Sequence, residues 1–207
     1  MLKSRLRPDA GIAIAAILFV IALLALIGGV IAAGSSNFST ASVADRVQAD
    51  IVSQANLIRS KISECNLMYG TNSNYDGYPS SDPVNGTLVS ALNCTGDPGG
   101  MQSVWSGERP ATLPPPTGGF NNWYYINTNA TGLGGSASGG RCVWITPTSS
   151  NPGVVAGLSK AASKFSSGTS CTPSCPPEVV YDPASTSQKF VVWITLPSGS
   201  PNSNCLP

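Results

Sequence analysis

Six cysteines are the residues of this chain whose chemistry is easiest to interpret. All of them lie beyond residue 34, and their number is even. In a domain rich in Gly, Pro, Ser and Asn, this predicts three disulfides, for which the sequence alone allows 15 pairings. A zinc site is the alternative, but only one close pair exists and no His accompanies it. The disulfide candidates are Cys65, Cys94, Cys142, Cys171, Cys175 and Cys205.

Catalytic groups are scarce. The chain contains no His, which excludes Ser–His–Asp and Cys–His arrangements and removes the commonest general base. The acidic residues beyond Gly34 show no spacing typical of a carboxylate pair. Ser159 with Lys160 and Ser163 with Lys164 are adjacent pairs, which is more typical of a solvated helix surface. The inventory predicts that the protein is not an enzyme and needs no cofactor.

One short stretch resembles the start of a calcium loop. Asn72, Asn74 and Asp76 alternate and Gly77 follows, but the position of the usual bidentate Glu is Pro83. The alternative is an Asx-rich turn whose side chains bond their own backbone, and this is the favoured interpretation.

The charge balance argues against a nucleic-acid partner. Beyond Gly34 the chain has eight basic and nine acidic residues, so this part is close to neutral and has no basic stripe for a phosphate backbone.

A continuous apolar run must position the rest of the chain. Residues 12–33 contain no charged or polar side chain, and as a helix they would rise about 33 Å, enough to cross a bilayer. Lys3, Arg5 and Arg7 precede the run, which predicts a cytoplasmic N-terminus and an exported remainder. A secretory signal cleaved before Ser35 is the alternative, although the run is long for one.

An amphipathic helix is predicted directly after the membrane run. Its apolar side chains recur at steps of three and four, and Gly70 is the expected stop. The segment Gly34–Ser39 predicts a loosened or interrupted helix between the two halves. The stripe consists of Val43, Val47, Ile51, Ala55, Ile58, Ile62 and Cys65. A Cys65–Cys94 bridge is favoured because it would tie the helix end to the following loop.

These features resemble a type IV pilin or a type II secretion pseudopilin: a basic leader ending in Gly11, an apolar helix starting at Ile12, then an amphipathic helix leading into a cysteine-bearing domain. The resemblance implies cleavage between Gly11 and Ile12 by a prepilin peptidase, a stay in the bacterial inner membrane, and assembly into an extracellular filament with identical or related subunits. The filament-core residues it implies are Ala16, Phe19, Leu23, Leu26, Gly28 and Gly29. Most members carry Glu where this chain has Ala16, so a minor or divergent subunit is expected.

The remainder of the chain predicts a small antiparallel sheet. Four apolar runs bounded by turn residues are expected strands: Trp123–Ile126, Cys142–Thr146, Val179–Tyr181 and Phe190–Leu196. The two "VWIT" runs should place Val and Ile on one face and Trp and Thr on the other. One face of the sheet is expected to pack on the amphipathic helix and the other to meet solvent.

A short helix is also predicted within residues 151–165, with Val154, Val155, Leu158, Ala162 and Phe165 on its apolar side. The four tryptophans could form an adhesive patch, but core positions are the commoner role.

The predicted fold class is therefore α+β, with a long N-terminal helix packed on a small antiparallel sheet and stapled by disulfides. The expected segments are a leader (1–11), a transmembrane and filament-core helix (12–34), an amphipathic helix spine (35–68) and a disulfide-rich β domain (69–207). The predicted function is a structural filament subunit, with a possible adhesive or surface-contact role. The alternative is an exported binding domain for which the apolar helix is only a membrane anchor.

Overall fold

The computed structural model describes residues 9–70, 77–82, 84–95, 102–106, 109–116, 118–128, 139–165, 178–197 and 199–207. Within the first helix, side chains are described at residues 19–24 and from Thr40 onward. The chain divides into two compact units, Met1–Ser42 and Val43–Pro207. The architecture is α+β with an antiparallel sheet, as the sequence predicts, and two of the three predicted disulfides are present among the described residues.

One helix, α1 (Asp9–Tyr69), includes both the apolar run and the amphipathic stripe. The predicted interruption at Gly34–Ser39 is wrong, because these residues have helical backbone. Ser and Asn each cost a helix only a few tenths of a kcal/mol and Gly about 1 kcal/mol, which long flanking helical segments can overcome. The helix ends where expected, and the Gly70 N–H donates to the Asn66 carbonyl at 2.7 Å.

Seven strands in the described part of the chain form two sheets. The larger sheet is antiparallel throughout and has the order β1-β4-β5-β7-β6, and β2 pairs with β3 in a separate ribbon. The strands are β1 (Thr87–Leu88), β2 (Asn93–Cys94), β3 (Gln102–Ser103), β4 (Tyr124–Asn127), β5 (Arg141–Ile145), β6 (Val179–Tyr181) and β7 (Phe190–Thr195). The four longest match the predicted strands, whereas β1, β2 and β3 were missed because two-residue strands carry no alternation.

The alternation in the two "VWIT" runs is confirmed. Val143 pairs with Val192 across β5 and β7, and both side chains belong to the main core with Ile145. Trp144 and Trp193 point to the opposite face. The two faces of the sheet therefore have different cores.

The first core forms where the second half of α1 packs on the sheet. Val47, Ile51, Ile58 and Ile62 are each at most 1% exposed and join the Val and Ile side chains of β5 and β7. Val43 is the one wrong member of the predicted stripe, since it is 38% exposed while Ala44 is buried. The cause is the second helix, which packs on the Ala44 side of α1.

This second helix, α2 (Pro152–Phe165), lies against α1 through a glycine. A Cβ added at Gly157 would lie 2.6 Å from the Val47 Cβ and 2.8 Å from the Ala44 carbonyl oxygen. Of the predicted apolar side, Val154, Leu158, Ala162 and Phe165 pack in or against the first core, the last two half-buried, whereas Val155 is half-buried and lies outside that cluster. The fully buried residues of the helix are Gly153, Val154, Gly157, Leu158 and Ala161. Glycines can lie in a contact face without adding to an apolar pattern, so hydropathy does not identify Gly153 and Gly157 as buried.

The second face of the sheet is covered, which contradicts the expectation that it meets solvent. A separate cluster lies there, and its aromatic members Trp144 and Trp193 are 7% and 4% exposed. Part of the cover is the C-terminal segment, which ends in a short 3-10 turn, Ser203–Cys205. The cluster contains Ile126, Cys142, Trp144, Val191, Trp193 and Cys205.

Two disulfides close the domain. Cys65–Cys94, the favoured bridge, is confirmed, with Cα atoms 5.4 Å apart, and it ties the end of α1 to β2. Cys142–Cys205, with Cα atoms 5.9 Å apart, ties β5 to the C-terminal turn. Cys171 and Cys175 lie outside the described residues.

Candidate functional site

The most unusual surface in the described part of the chain is the apolar segment of α1 at residues 19–24. Phe19, Val20 and Leu24 are 68%, 54% and 62% exposed, and every other residue of the segment is exposed as well. Successive helix residues are 100° apart, so six of them cover the whole circumference. The segment is thus apolar on every side and exposed on every side, which distinguishes it from a helix with one buried stripe.

The other predicted residues of this region are placed by backbone alone. Gly11 and Ile12 lie in helical backbone, since α1 already begins at Asp9 and not at the predicted processing point. Ala16, Leu26, Gly28 and Gly29 are also helical, but their side chains lie outside the described set. Phe19 and Leu23 are the two predicted filament-core residues with described side chains, and both are exposed. In the described part of the chain, none of the helices has the length and apolar character that a membrane crossing requires.

The predicted calcium ligands Asn72, Asn74 and Asp76 lie outside the described residues. Asp82, near the far end of that stretch, bonds its own backbone: its Oδ1 accepts the N–H groups of Asn85 at 2.7 Å and Val84 at 2.8 Å. These two hydrogen bonds lower the pKa of the Asp82 carboxyl, so the turn retains an ionised acceptor. Among the described residues, no three His, Cys, Asp or Glu side chains gather closely enough to hold a metal ion.

Two further groups have shifted pKa values, and packing explains both. Burial raises the pKa of Tyr181, whose hydroxyl donates to the Val155 carbonyl of α2 at 3.4 Å. Burial lowers the pKa of Lys189, whose ammonium donates to carbonyls of the C-terminal segment. Neither group has a partner arrangement that suggests acid–base chemistry.

Three of the four tryptophans are core residues and the fourth, Trp105, is half-buried. Trp123 is 1% exposed and its indole N–H donates to Gln54 Oε1 at 2.7 Å. Trp144 and Trp193 lie in the second core, and Trp105 is half-buried with its N–H on the Val89 carbonyl. The indole N–H groups of Trp105 and Trp123 thus have partners inside the domain.

Two buried polar side chains of α1 were missed by the sequence analysis. Gln54 Nε2 donates to the Pro115 carbonyl at 3.1 Å, and the Lys61 ammonium bonds Glu64 at 2.8 Å and the Arg109 carbonyl. Together they fasten residues 109–116 along α1. The spacing along the sequence does indicate that both residues are buried. The buried positions of α1 follow one another in alternating steps of four and three (47, 51, 54, 58, 61 and 65), which places both polar residues on the buried face.

The chain matches no family model, no curated protein and no solved structure.

Proposed function

We propose that the chain is a structural subunit of a type IV pilus-like or pseudopilus filament, assembled through its N-terminal apolar helix. The observation that supports this most strongly is the exposed apolar circumference at residues 19–24. A helix apolar on every side needs hydrocarbon or other apolar helices around it. The proposal supplies both in turn: the bacterial inner membrane first, and the core of the filament afterwards.

Processing precedes assembly in this proposal. A prepilin peptidase removes residues 1–11 by cutting between Gly11 and Ile12, and the new N-terminus begins with an uninterrupted apolar helix. Small residues such as Gly28 and Gly29 let neighbouring helices approach closely without water. Ala16 provides no carboxylate for the amine of a neighbouring subunit, which favours a minor or divergent place in the filament.

The second half of α1 has the complementary task. Its apolar stripe is buried by the sheet and α2, so the domain of residues 43–207 has a core of its own. Disulfides suit an oxidising location outside the cytoplasm. The near-neutral net charge of the domain provides little electrostatic attraction for the phosphates of a nucleic acid. In the filament, its exposed loops would meet solvent, surfaces or cargo.

Determining the N-terminal residue of the protein, recovered separately from membranes and from sheared cell surfaces, tests this function. The proposal expects Ile12 as the first residue in the sheared fraction. An intact Met1 in every fraction would support the alternative, a binding domain tethered by a plain anchor, and a start at Ser35 would indicate secretion.

A matched pair of variants sharpens the test. Gly11→Val should block processing and remove the protein from the sheared fraction, whereas Ala10→Val adds similar bulk one residue earlier and should be processed. Equal processing of both variants would contradict a cut that depends on Gly11.

A further inference from the structure

The C-terminal segment 199–207, here called the strap, is attached in an unusual way. Cys205 is its only buried residue, and Leu206, its one large apolar side chain, is 42% exposed. The remaining residues are Gly, Ser, Asn and Pro, which bury little apolar area. The hydrophobic effect therefore contributes little to holding the strap.

Specific tethers hold it instead. The Cys142–Cys205 disulfide ties it to the centre of the sheet. The Lys189 ammonium donates to the carbonyls of Asn204 at 3.3 Å and Leu206 at 3.0 Å. On the other side, Asn204 Nδ2 donates to the Val84 carbonyl at 2.6 Å. The strap thus spans from the start of β7 to the turn before β1.

Trp144 belongs to the same buried cluster as Cys205, the one buried residue of the strap. The Lys189 ammonium is 5.9 Å from the centre of its ring, and a side chain at Gly86, two residues from Val84, would collide with the same ring. Cys142 precedes Trp144 by two residues in β5, so both side chains point to the strap's face. Tyr124 stacks on Trp144 with ring centres 5.6 Å apart. Trp144 is thus 7% exposed next to a segment with few apolar contacts of its own, whereas Tyr124 is half-buried.

We infer that the strap is a releasable cover over this face of the sheet and that the Cys142–Cys205 disulfide holds it in place. Breaking this disulfide frees residues 199–207 and exposes the Trp144 ring to solvent. A dithiol reductant supplies the chemistry: the Cys142–Cys205 bond breaks, two thiols form from two electrons and two protons, and the reductant becomes a cyclic disulfide. The buried sulfurs require the strap to fray before the dithiol can attack.

The rest of the domain does not depend on the strap. The first core, formed by α1, α2 and the other face of the sheet, contains no strap residue. Cys65–Cys94 closes that part independently. This device lies within residues 43–207 and does not rest on the proposed filament function.

The test uses the full chain in detergent micelles with the double variant Cys142→Ala/Cys205→Ala. Amide exchange at Cys205 and Leu206, whose N–H groups bond Asn202 and Ser203, should accelerate at least tenfold. Exchange at Ile51, Ile58 and Ile62 should stay unchanged. Acrylamide should quench one more of the four tryptophans than in the parent protein.

Two controls assign the effect. Adding Trp144→Phe to the double variant should abolish the gain in quenching, and Cys65→Ala/Cys94→Ala should leave the strap amides protected. Unchanged strap protection in the Cys142/Cys205 variant would overturn the inference. Loss of protection throughout α1 would overturn it too, because the strap would then be part of the folding core and no releasable cover.

The parent protein provides a second measurement that needs no substitution. Dithiothreitol added to it under native conditions should produce the same quenching gain with α1 still protected. Complete reduction of Cys142–Cys205 without that gain would also overturn the inference.

Discussion

Residues 19–24 and residues 47–65 belong to the same helix and are similarly apolar at many positions, yet their surroundings are opposite. In the first segment every side chain is exposed, and in the second a stripe is almost completely buried by the sheet and α2. The difference lies in the pattern and not in the amount of apolar surface. A stripe matches a single partner on one side, whereas an apolar circumference needs surroundings on all sides.

Because of this contrast, we expect the two segments of α1 to contribute to two different free energies, that of folding and that of assembly. Burial of the stripe stabilises the domain, and under the proposed function burial of the apolar circumference at residues 19–24 stabilises the filament. Substitutions in the two segments should therefore affect different measurements.

The largest expected effect is on folding. Ile58→Asp places a carboxylate at a position that is 0% exposed, and we expect a loss of about 4 kcal/mol or more in the free energy of unfolding. Denaturant unfolding of the solubilised protein, followed by near-UV circular dichroism, measures it. Ser60→Asp, on the exposed side of the same helix, should change stability by less than about 0.5 kcal/mol. Similar losses for both variants would show that the stripe is not what holds the domain.

Leu23→Asp tests the other segment. A carboxylate at the centre of a membrane helix costs about 2.5–3.5 kcal/mol, so the proposed filament function predicts that the yield of the variant in the sheared fraction falls by roughly tenfold or more. The unfolding free energy of the domain should not change. Leu23→Ile keeps the apolar surface and should assemble normally. A domain destabilised by Leu23→Asp would contradict the separation of the two energies.

Gly157→Ala tests how closely α2 contacts the first turns of the buried stripe. The new methyl group meets the Val47 Cβ and the Ala44 carbonyl, so the helices must separate, at a cost of about 2 kcal/mol in stability. Gly118→Ala is the control, since an added Cβ there meets nothing within 4 Å. Thermal unfolding should rank the two variants, and equal midpoints would argue against the close contact.

Gln54→Leu removes the polar member of the stripe. The Pro115 carbonyl and the Trp123 N–H each lose their partner, and we expect a loss of about 1–2 kcal/mol with faster amide exchange near Ala111. Asn56→Leu makes a comparable change on the exposed side and should be nearly neutral. A Gln54→Leu protein as stable as the parent would mean that apolar burial fully replaces the lost hydrogen bonds.

The sequence allowed prediction of what repeats along the chain. The stripe of α1, the four longest strands, the alternating faces of "VWIT" and the Cys65–Cys94 bridge all follow from local periodicity or spacing. The cover on the second face of the sheet could not be predicted in this way. The strap is polar and is held by a disulfide between residues far apart in the chain, so it has no apolar pattern. Apolar periodicity alone does not identify Gln54 and Lys61 as buried, although their spacing places them on the stripe.

The two observed disulfides reduce the number of possible cysteine pairings below the 15 that the sequence alone allows. With Cys65–Cys94 and Cys142–Cys205 formed, a third bridge within the chain leaves only the pairing of Cys171 with Cys175.

Site-specific photo-crosslinking from Leu23 in growing cells tests the central claim most directly. The account predicts that a photoreactive residue at this position joins the chain to a second copy or a related filament subunit, and that this adduct appears in the sheared surface fraction. A matched probe at Ile58, inside the domain core, should give only intramolecular products. Assembly through the apolar segment would be contradicted if the probe at position 23 crosslinked only to lipid and its adducts occurred only in the membrane fraction.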